Sequence, residues 1–549
     1  AVPYYGGDSH CDPAVSGNGR LTGFEQRAVG QAYAMAFLRK YLRGETQFDS
    51  YLRGDVAPPP SLLTAETKVS YHAPAAERRD LNRLDDQTRF NANQNTLGGT
   101  INTASLSKYE LCDGDDCLAQ ERTGNSYLRL AISWDSTSAR YYNALPSGQR
   151  DVSAYATLQF RVGIDDNDSR NGGADQNFQV RLEDGTGERV YVDVADFTNA
   201  LEFPPGIESR TGSSNDVRMS LMTTVRIPMA MFIDLDLTDI RFVDLVFNQE
   251  SSGAIFVSDL AFVDGTNDKD YFWLSDGGGD FDSANIALGR GYRPFAGNFD
   301  GEDGDDIFLY APGTGKDIVL WADGDDLSAD ASLSGVSGTY LPLAGDFDGD
   351  GATDIFWYVP GSTTDGIWWS DGDGTFTTTT VSVNGTYSPM VGDFDGDEAD
   401  DIFWYGVGSA SDGIWWSDGD RTFTAVTMSV GGTYRPAWGD FDGDGATDIF
   451  WYAPGSSADY IWWSDGDRTF SNGAINVSGS SYYPFAGDFD GDGFGDIFWY
   501  GPGSAGDRIW WADGARSWSS STPSVGGNYA PTVLDLDGLG GDDILWYSP

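Results

Sequence analysis

The nine residues Asp346-Phe347-Asp348-Gly349-Asp350-Gly351-Ala352-Thr353-Asp354 place carboxylates at positions 1, 3, 5 and 9 of one short turn. Carboxylates so spaced can converge on a hard divalent cation, with a backbone carbonyl at position 7 completing the shell; Ca²⁺ takes six to eight such oxygens. Glycine at position 6 admits the sharp turn. Three further copies keep the quartet: Asp393, Asp395, Asp397 and Asp401; Asp440, Asp442, Asp444 and Asp448; Asp488, Asp490, Asp492 and Asp496. The copy that opens at Asn298 departs, with Asp300, Glu302 and Asp306 as donors and Asp303 at the glycine position. Glu398 takes that glycine position in the third copy. In the last copy Asp535, Asp537 and Asp543 remain but Leu539 replaces the position-5 carboxylate, so this site is expected to be weakest or empty. Solvated Asp-Gly turns are the plainer explanation, and four complete quartets in register argue against it.

The six copies begin 48, 47, 47, 48 and 47 residues apart, a period that belongs to repeat architectures. An EF-hand is excluded by context, since it needs a glutamate at position 12 and flanking helices. Here each turn runs instead into an apolar stretch such as Ile355-Phe356-Trp357-Tyr358, which has strand preference. The pattern resembles the FG-GAP/VCBS repeats of integrin α-subunit propellers, bacterial surface proteins and some fungal lectins, and the resemblance covers 272–549. It implies a β-propeller with Ca²⁺, up to six ions in a structural role, held in loops between the strands of each blade.

The elements that must position these turns are strands. Residues 272–277 match 367–372, and the same Asp-Gly hairpin returns at 414–419, 461–466 and 509–514, with 319–324 as a variant. The module thus opens mid-repeat and ends on a half-repeat, so six loops and six hairpins predict six blades of four strands. The chain's end is expected to share a blade with the module's start, closing the ring and removing free sheet edges. The pairs Trp368/Trp369, Trp415/Trp416, Trp462/Trp463 and Trp510/Trp511 put neighbours on opposite sheet faces. One of each pair is expected between blades and the other nearer solvent; repetition in every unit favours packing over a ring of sugar sites.

Over 549 residues the formal charge is −52, and six divalent ions would cancel only twelve of those charges. Lys40, Lys68, Lys108, Lys269 and Lys316 are the lysines. Such a chain is repelled by phosphates, which excludes nucleic-acid binding. No run of 18 apolar residues exists, so no membrane span is expected. No signal peptide stands at Ala1; a secreted protein would have lost its leader or carry it upstream. Cys112 and Cys117 flank a short loop that a disulfide could close in an oxidising compartment, leaving Cys11 over. Two histidines and three cysteines offer no zinc or redox cluster.

Residues 1–57 read as strand, loop and helix. Thr22 and Glu25 form a capping box, and Phe24, Ala28, Ala32, Met35, Ala36, Phe37 and Leu42 are expected to face a core before Gly44 ends the helix. This segment resembles the C-terminal end of a secreted bacterial α/β-hydrolase of lipase or esterase type. The resemblance implies that His10 is a remnant general base, with nucleophile and acid upstream. No Gly-x-Ser-x-Gly elbow occurs on a strand-to-helix turn here, so no complete triad is present and enzymatic activity of this chain is an open question. Residues 58–65 form a Pro-rich linker. Residues 66–265 suggest about nine short strands at 68–72, 126–134, 140–144, 157–164, 178–182, 189–194, 222–227, 240–247 and 254–263. Leu130 and Ile132 are expected to face one way and Arg129 and Ser133 the other. That pattern fits a jelly-roll sandwich similar to carbohydrate-binding modules, with Trp134, Tyr141 and Tyr142 as sugar candidates against a core role.

The expected architecture is mainly β: a β-sandwich (jelly roll) followed by a six-bladed β-propeller at 271–549, after a short N-terminal strand-helix segment. The expected function is that of a secreted or cell-surface calcium-binding scaffold whose partners are a glycan, a cell surface or further copies of itself. The alternative is the C-terminal portion of a secreted serine hydrolase whose β domains target the substrate.

Overall fold

A computed structural model describes residues 23–43, 52–53, 69–83, 92–112, 129–166, 168–204, 222–232, 235–263, 270–289, 291–302, 304–313, 317–323, 326–331, 335–336, 338–408, 411–454, 459–477, 482–501, 506–526 and 529–548. The fold is mainly β and built of many small antiparallel sheets. Among the described residues no helix is long and apolar enough to cross a membrane.

The first half pairs a six-stranded with a five-stranded sheet. Leu106–Cys112, Arg129–Trp134, Gly253–Val263, Thr157–Ile164 and Thr223–Pro228 lie in that order, and Arg78–Asn82 also pairs with Gly253–Val263. Ile101–Ala104, Ala139–Ala144, Phe242–Phe247, Gln179–Glu183 and Arg189–Asp193 form the other sheet. Alternate residues of both meet in one core, among them Ile132, Trp134, Tyr141, Phe160, Val180 and Leu245. Trp134 and Tyr141 are therefore core residues, and of the three sugar candidates only Tyr142 reaches the outer face. Arg129 and Ser133 do point away from Ile132, yet they too are buried. The outer face of the six-stranded sheet carries its own apolar cluster of Cys112, Ala131, Met222 and Phe256, and the Arg129 guanidinium lies 4.9 Å above the Phe256 ring. Residues 69–72 are not a strand; Arg78–Asn82, Ile101–Ala104 and Leu106–Cys112, which hydrophobic alternation missed, supply edges instead.

The helix Gly23–Arg43 buries Val29 and Ala36, seven residues apart and so on one face. Met35, Phe37 and Leu42, expected to turn inward, are exposed. Thr22 lies outside the described residues.

The repeat half is six four-stranded antiparallel sheets, here numbered I to VI. Sheet I is Arg293–Gly297, Asp306–Tyr310, Ile318–Asp323 and Asp326–Asp330; sheet II is Leu341–Gly345, Asp354–Tyr358, Asp365–Ser370 and Phe376–Val381. Sheets III, IV and V repeat this plan from Ser388–Gly392, Arg435–Gly439 and Tyr483–Gly487. Sheet VI joins Asp270–Ser275 and Phe281–Ile286 to Ala530–Leu534 and Asp543–Tyr547, with Trp273 opposite Ile544. The second strand of each sheet is buried along its whole length. It is covered on both faces, which is why it reads as an unbroken apolar run rather than as an alternation. The repeats are compatible with a propeller-like fold. The same backbone N–H to C=O bond recurs between each sheet and its neighbour: Thr353 to Asn298, Asp400 to Asp346, Thr447 to Asp393, Gly495 to Asp440, Asp542 to Asp488 and Asp305 to Asp535. These six bonds run from sheet to sheet and return to their start.

Both members of the Trp pairs are packed. Trp369 and Trp416 are fully buried, while Trp368 and Trp415 are half-buried and stack edge-on against Trp357 and Trp404.

Candidate metal centres

Each acidic turn links the first two strands of a sheet, and each of its carboxylates has a different local task. In sheet II the position-1 residue Asp346 folds the turn around itself: Oδ1 accepts from the N–H of Gly349 at 2.8 Å and Oδ2 from that of Gly351 at 2.8 Å. Gly349 and Gly351 hold φ of 71° and 92°, left-handed values that favour glycine. At position 5, Asp350 accepts from the N–H of Ala352. At position 9, Asp354 is wholly buried; its Oδ2 accepts from Phe347 N–H at 3.0 Å and its Oδ1 from Ser370 N–H at 2.8 Å. The same pair of bonds recurs at Asp306, Asp401, Asp448, Asp496 and Asp543. Burial pushes Asp354, Asp401, Asp448 and Asp496 up to about 8 against these N–H groups, and Asp306 and Asp543 to about 7.

Position 3 is the anomaly. One oxygen each of Asp348, Asp395, Asp442 and Asp490 is buried with no hydrogen-bond donor; in the last turn it is the position-1 residue, Asp535, whose Oδ1 is so placed. Those side chains are 6%, 5% and 7% exposed for Asp348, Asp395 and Asp442. A buried carboxylate oxygen with no donor is costly. It stands beside other carboxylates: Asp346, Asp348 and Asp354; Asp393, Asp395 and Asp401; Asp440, Asp442 and Asp448; Asp488, Asp490 and Asp492; and Asp535, Asp537 and Asp543 each bring oxygens within 4.8 Å of one another. These Asp-rich groups could hold metal ions, and a donor set made only of oxygens fits a hard cation.

The structure thus gathers three of the expected four carboxylates per turn. Asp350, Asp397, Asp444 and Asp496 stand outside the trios. The turn at Asp535 keeps its trio although Leu539, 84% exposed, leaves position 5 vacant of charge. Among the described residues, Asp300, Glu302 and Asp306 form no such trio; Asn298 donates to Glu302 O at 2.8 Å and accepts from Gly301 N–H at 2.7 Å. His10 and Cys117 lie outside the described residues. Cys112 is disulfide-bonded.

Sequence reading missed position 8. Asp305, Asp400 and Asp542 each accept the N–H of the previous sheet's position-1 aspartate, Asp400 from Asp346 at 2.9 Å and Asp542 from Asp488 at 2.7 Å. Each returns the backbone bond already described, so the carboxylate completes a two-bond bridge between turns. Burial raises Asp400 and Asp542 to about 7 and Asp305 to about 6. Asp-Asp before the apolar strand in three of six copies was the available signal. A second omission is an arginine on position 3: Arg421 Nε donates to Asp348 at 2.5 Å, Arg468 to Asp395 at 2.5 Å and Arg516 to Asp442 at 2.6 Å.

An FG-GAP-like repeat family model matches residues 346–404, 393–451 and 440–499, three tandem copies. No curated protein matches the chain. Among solved structures, a lectin of Agrocybe aegerita described as recognising non-reducing terminal N-acetylglucosamine is 19% identical over 51% of this chain and 84% of that one, with a TM-score of 0.37. AofleA of Arthrobotrys oligospora, as an arginine-to-alanine mutant, is 14% identical over 45% and 78%, with a TM-score of 0.32. A family 30 carbohydrate-binding module of a Clostridium thermocellum cellulosomal cellulase is 12% identical over 31% and 92%, with a TM-score of 0.21.

Proposed function

We propose that this protein is a secreted, calcium-binding scaffold in which residues 271–549 form a closed six-bladed β-propeller and residues 66–265 a jelly-roll sandwich, together presenting rigid surfaces to a glycan or cell surface. The observation that carries the calcium reading is the buried, donorless oxygen at position 3 of four turns, with a like oxygen at position 1, Asp535, in the last. In each complete turn the ion is held by the aspartates of positions 1, 3, 5 and 9. Asn298, Asp300, Glu302 and Asp306, and Asp535, Asp537 and Asp543, are the poorer sets. The ion's role is structural, since it neutralises carboxylates that otherwise repel one another. Extracellular Ca²⁺ modules bind at roughly 10⁻⁴–10⁻³ M, a range that suits a protein working outside the cell. Ring closure is supported by sheet VI, built from both ends of the module, and by the cycle of six backbone bonds. Calorimetry in millimolar Ca²⁺ and in excess chelator tests this. Tm is expected to fall on chelation, with roughly 0.4–1.4 kcal/mol lost per site at about 1 mM Ca²⁺ over that range of Kd. An unchanged melt refutes the assignment.

The glycan surface is the outer face of the five-stranded sheet. Cross-strand pairing lines up Asn102, Tyr142, Asp244, Arg181 and Tyr191 in one row. Tyr191 is 40% exposed, and Arg181 is ion-paired with the buried Asp244. Rings that can stack on a sugar flanking a fixed charged pair suit a neutral or acidic polysaccharide. Affinity electrophoresis against a polysaccharide panel should show retardation that Y191A reduces about tenfold, as expected for loss of a stacking aromatic. Equal retardation of wild type and variant, or none with any polysaccharide, removes this face from consideration.

A second reading is favoured by the exposed Met35, Phe37, Leu38 and Leu42 of the N-terminal helix, which suit packing against a partner sheet. In it the chain is the C-terminal portion of a secreted serine hydrolase, with His10 as base and the β domains as targeting modules. A fluorophosphonate probe on the native secreted protein should then label a covalently linked or associated serine; no label on active culture fluid rejects it.

A further inference from the structure

The Asp-Gly hairpins that close each sheet differ at one position. In sheets II and VI the left-handed residue is Gly374 or Gly279, with φ of 75° and 85°. In sheets III, IV and V the same place holds Arg421, Arg468 and Arg516, non-glycine residues at φ of 66°, 65° and 57°. A side chain in that conformation is disfavoured, so its persistence asks for a compensating contact. The contact is the same three times. Each arginine reaches back to the preceding sheet, donates to the position-3 aspartate of its acidic turn, and lies over that sheet's second tryptophan: Arg421 on Asp348 and Trp369, Arg468 on Asp395 and Trp416, Arg516 on Asp442 and Trp463. The ring centroids are 5.3, 5.5 and 4.7 Å away, within cation–π range. The guanidinium takes Oδ2 of the carboxylate; Oδ1 is the oxygen without a donor.

The turn of sheet V faces a different neighbour. Its position-3 residue, Asp490, also has an orphaned Oδ1, but the hairpin that meets it is that of sheet VI, where Gly279 replaces arginine. A Cβ built on Gly279 would stand 3.5 Å from Trp511 and 3.8 Å from Asp490. The slot between tryptophan and aspartate is therefore present and unfilled by side chain, and among the described residues no arginine pairs with Asp490.

Building on the calcium reading, we propose that Arg421, Arg468 and Arg516 are resident counter-cations that divide the turns into two affinity classes. The turns at Asp346, Asp393 and Asp440 share their position-3 carboxylate with a guanidinium and bind a divalent cation more weakly. The turn at Asp488 has four carboxylates and no competing positive charge, and fills first. A single positive charge on the far oxygen of a shared carboxylate repels the incoming ion and lowers the charge it meets. Even at high effective dielectric that is worth roughly tenfold in Kd. The arginines also hold three turns together without an ion, so loosening on chelation begins at the turn of sheet V.

The test uses the full chain and Ca²⁺ alone, by isothermal titration with a chelator-competition arm. Wild type is expected to show a tight and a weak class. The R421G/R468G/R516G variant places at each site the residue that Gly374 already supplies, and should move three ions about tenfold toward the tight class. Its Tm in chelator should fall, because three carboxylate sets lose their counter-charge. G279R should remove one ion from the tight class and raise Tm in chelator. Unchanged isotherms for both variants overturn the proposal, while leaving the turns as Ca²⁺ sites. No heat and no competition by wild type instead refutes the calcium reading itself. Should the triple variant fail to fold, R421G alone and G279R decide the matter by the same shifts.

Discussion

Within one turn, carboxylates of identical chemistry divide between building and binding. Asp401 satisfies two buried N–H groups, those of Phe394 at 2.9 Å and Ser417 at 2.7 Å, whereas Asp395 keeps an oxygen with no donor. D401A should therefore cost about 3 kcal/mol or more in chelator as well as in Ca²⁺, since two buried donors lose their acceptor. D490N, at the turn whose position-3 aspartate also keeps a donorless oxygen but meets no arginine among the described residues, should cost little in chelator and remove Ca²⁺-dependent stability at that turn; urea midpoints in both buffers separate the two. The spacing of the quartets was legible in the sequence because it repeats. The division of labour was not, because the Ser417 N–H that fixes Asp401 lies on another strand. Asp317 offers a titration away from the turns. Burial pushes its carboxyl up to about 6, against the N–H groups of Ala311 and Val336. A folded-state value above the unfolded one near 3.9 means that this contribution is complete below the unfolded value and is lost as pH rises through about 6. The stability difference between wild type and D317N should thus be larger at pH 5 than at pH 8, and a pH-independent difference contradicts it.

Between strands and sheets, the links are few and repeated. Ser417 Oγ donates to Phe347 O at 2.6 Å, and Ser370, Ser464 and Ser275 do the same to Phe299, Phe394 and Phe489. S417A should lower stability by about 1 kcal/mol, read from the urea midpoint at constant m; alanine stands naturally at position 512 of sheet V, so the fold tolerates the change. The repeat strands were readable because hairpin and turn signals flank every one. In the sandwich, the edge strands Arg78–Asn82 and Ile101–Ala104 have short polar sequences that carry no period of two. Their place is set by pairing with distant partners such as 253–263 and 139–144. The same non-local covering buries Arg129 and Ser133, which alternation alone assigns to solvent.

For the molecule as a whole, sheet VI decides integrity. Its second strand, Asp543–Tyr547, pairs both with Ala530–Leu534 and with Asp270–Ser275, and Asp543 also accepts the N–H of Ser275. Deleting 543–549 should expose the apolar edge of Asp270–Ser275, abolish a single cooperative melt of residues 270–542 and increase dye binding to apolar surface; a truncated chain that melts as sharply as the full one contradicts this. The period of the repeats predicted the shared sheet, since the module starts and stops half a unit out of phase. Nothing comparable announced the sandwich order, in which the chain's late strand Gly253–Val263 sits between Arg129–Trp134 and Thr157–Ile164.

Shared authorship of sheet VI also sets a schedule. During synthesis the strands at 270–286 emerge some 240 residues before their partners at 530–547, and they must wait, unpaired along one side, until the strands of the other five sheets have been made. A nascent chain is therefore most vulnerable to mispairing with a neighbouring copy over that interval, and the last clasp to close is the one that joins the first strand of the repeats to their final one.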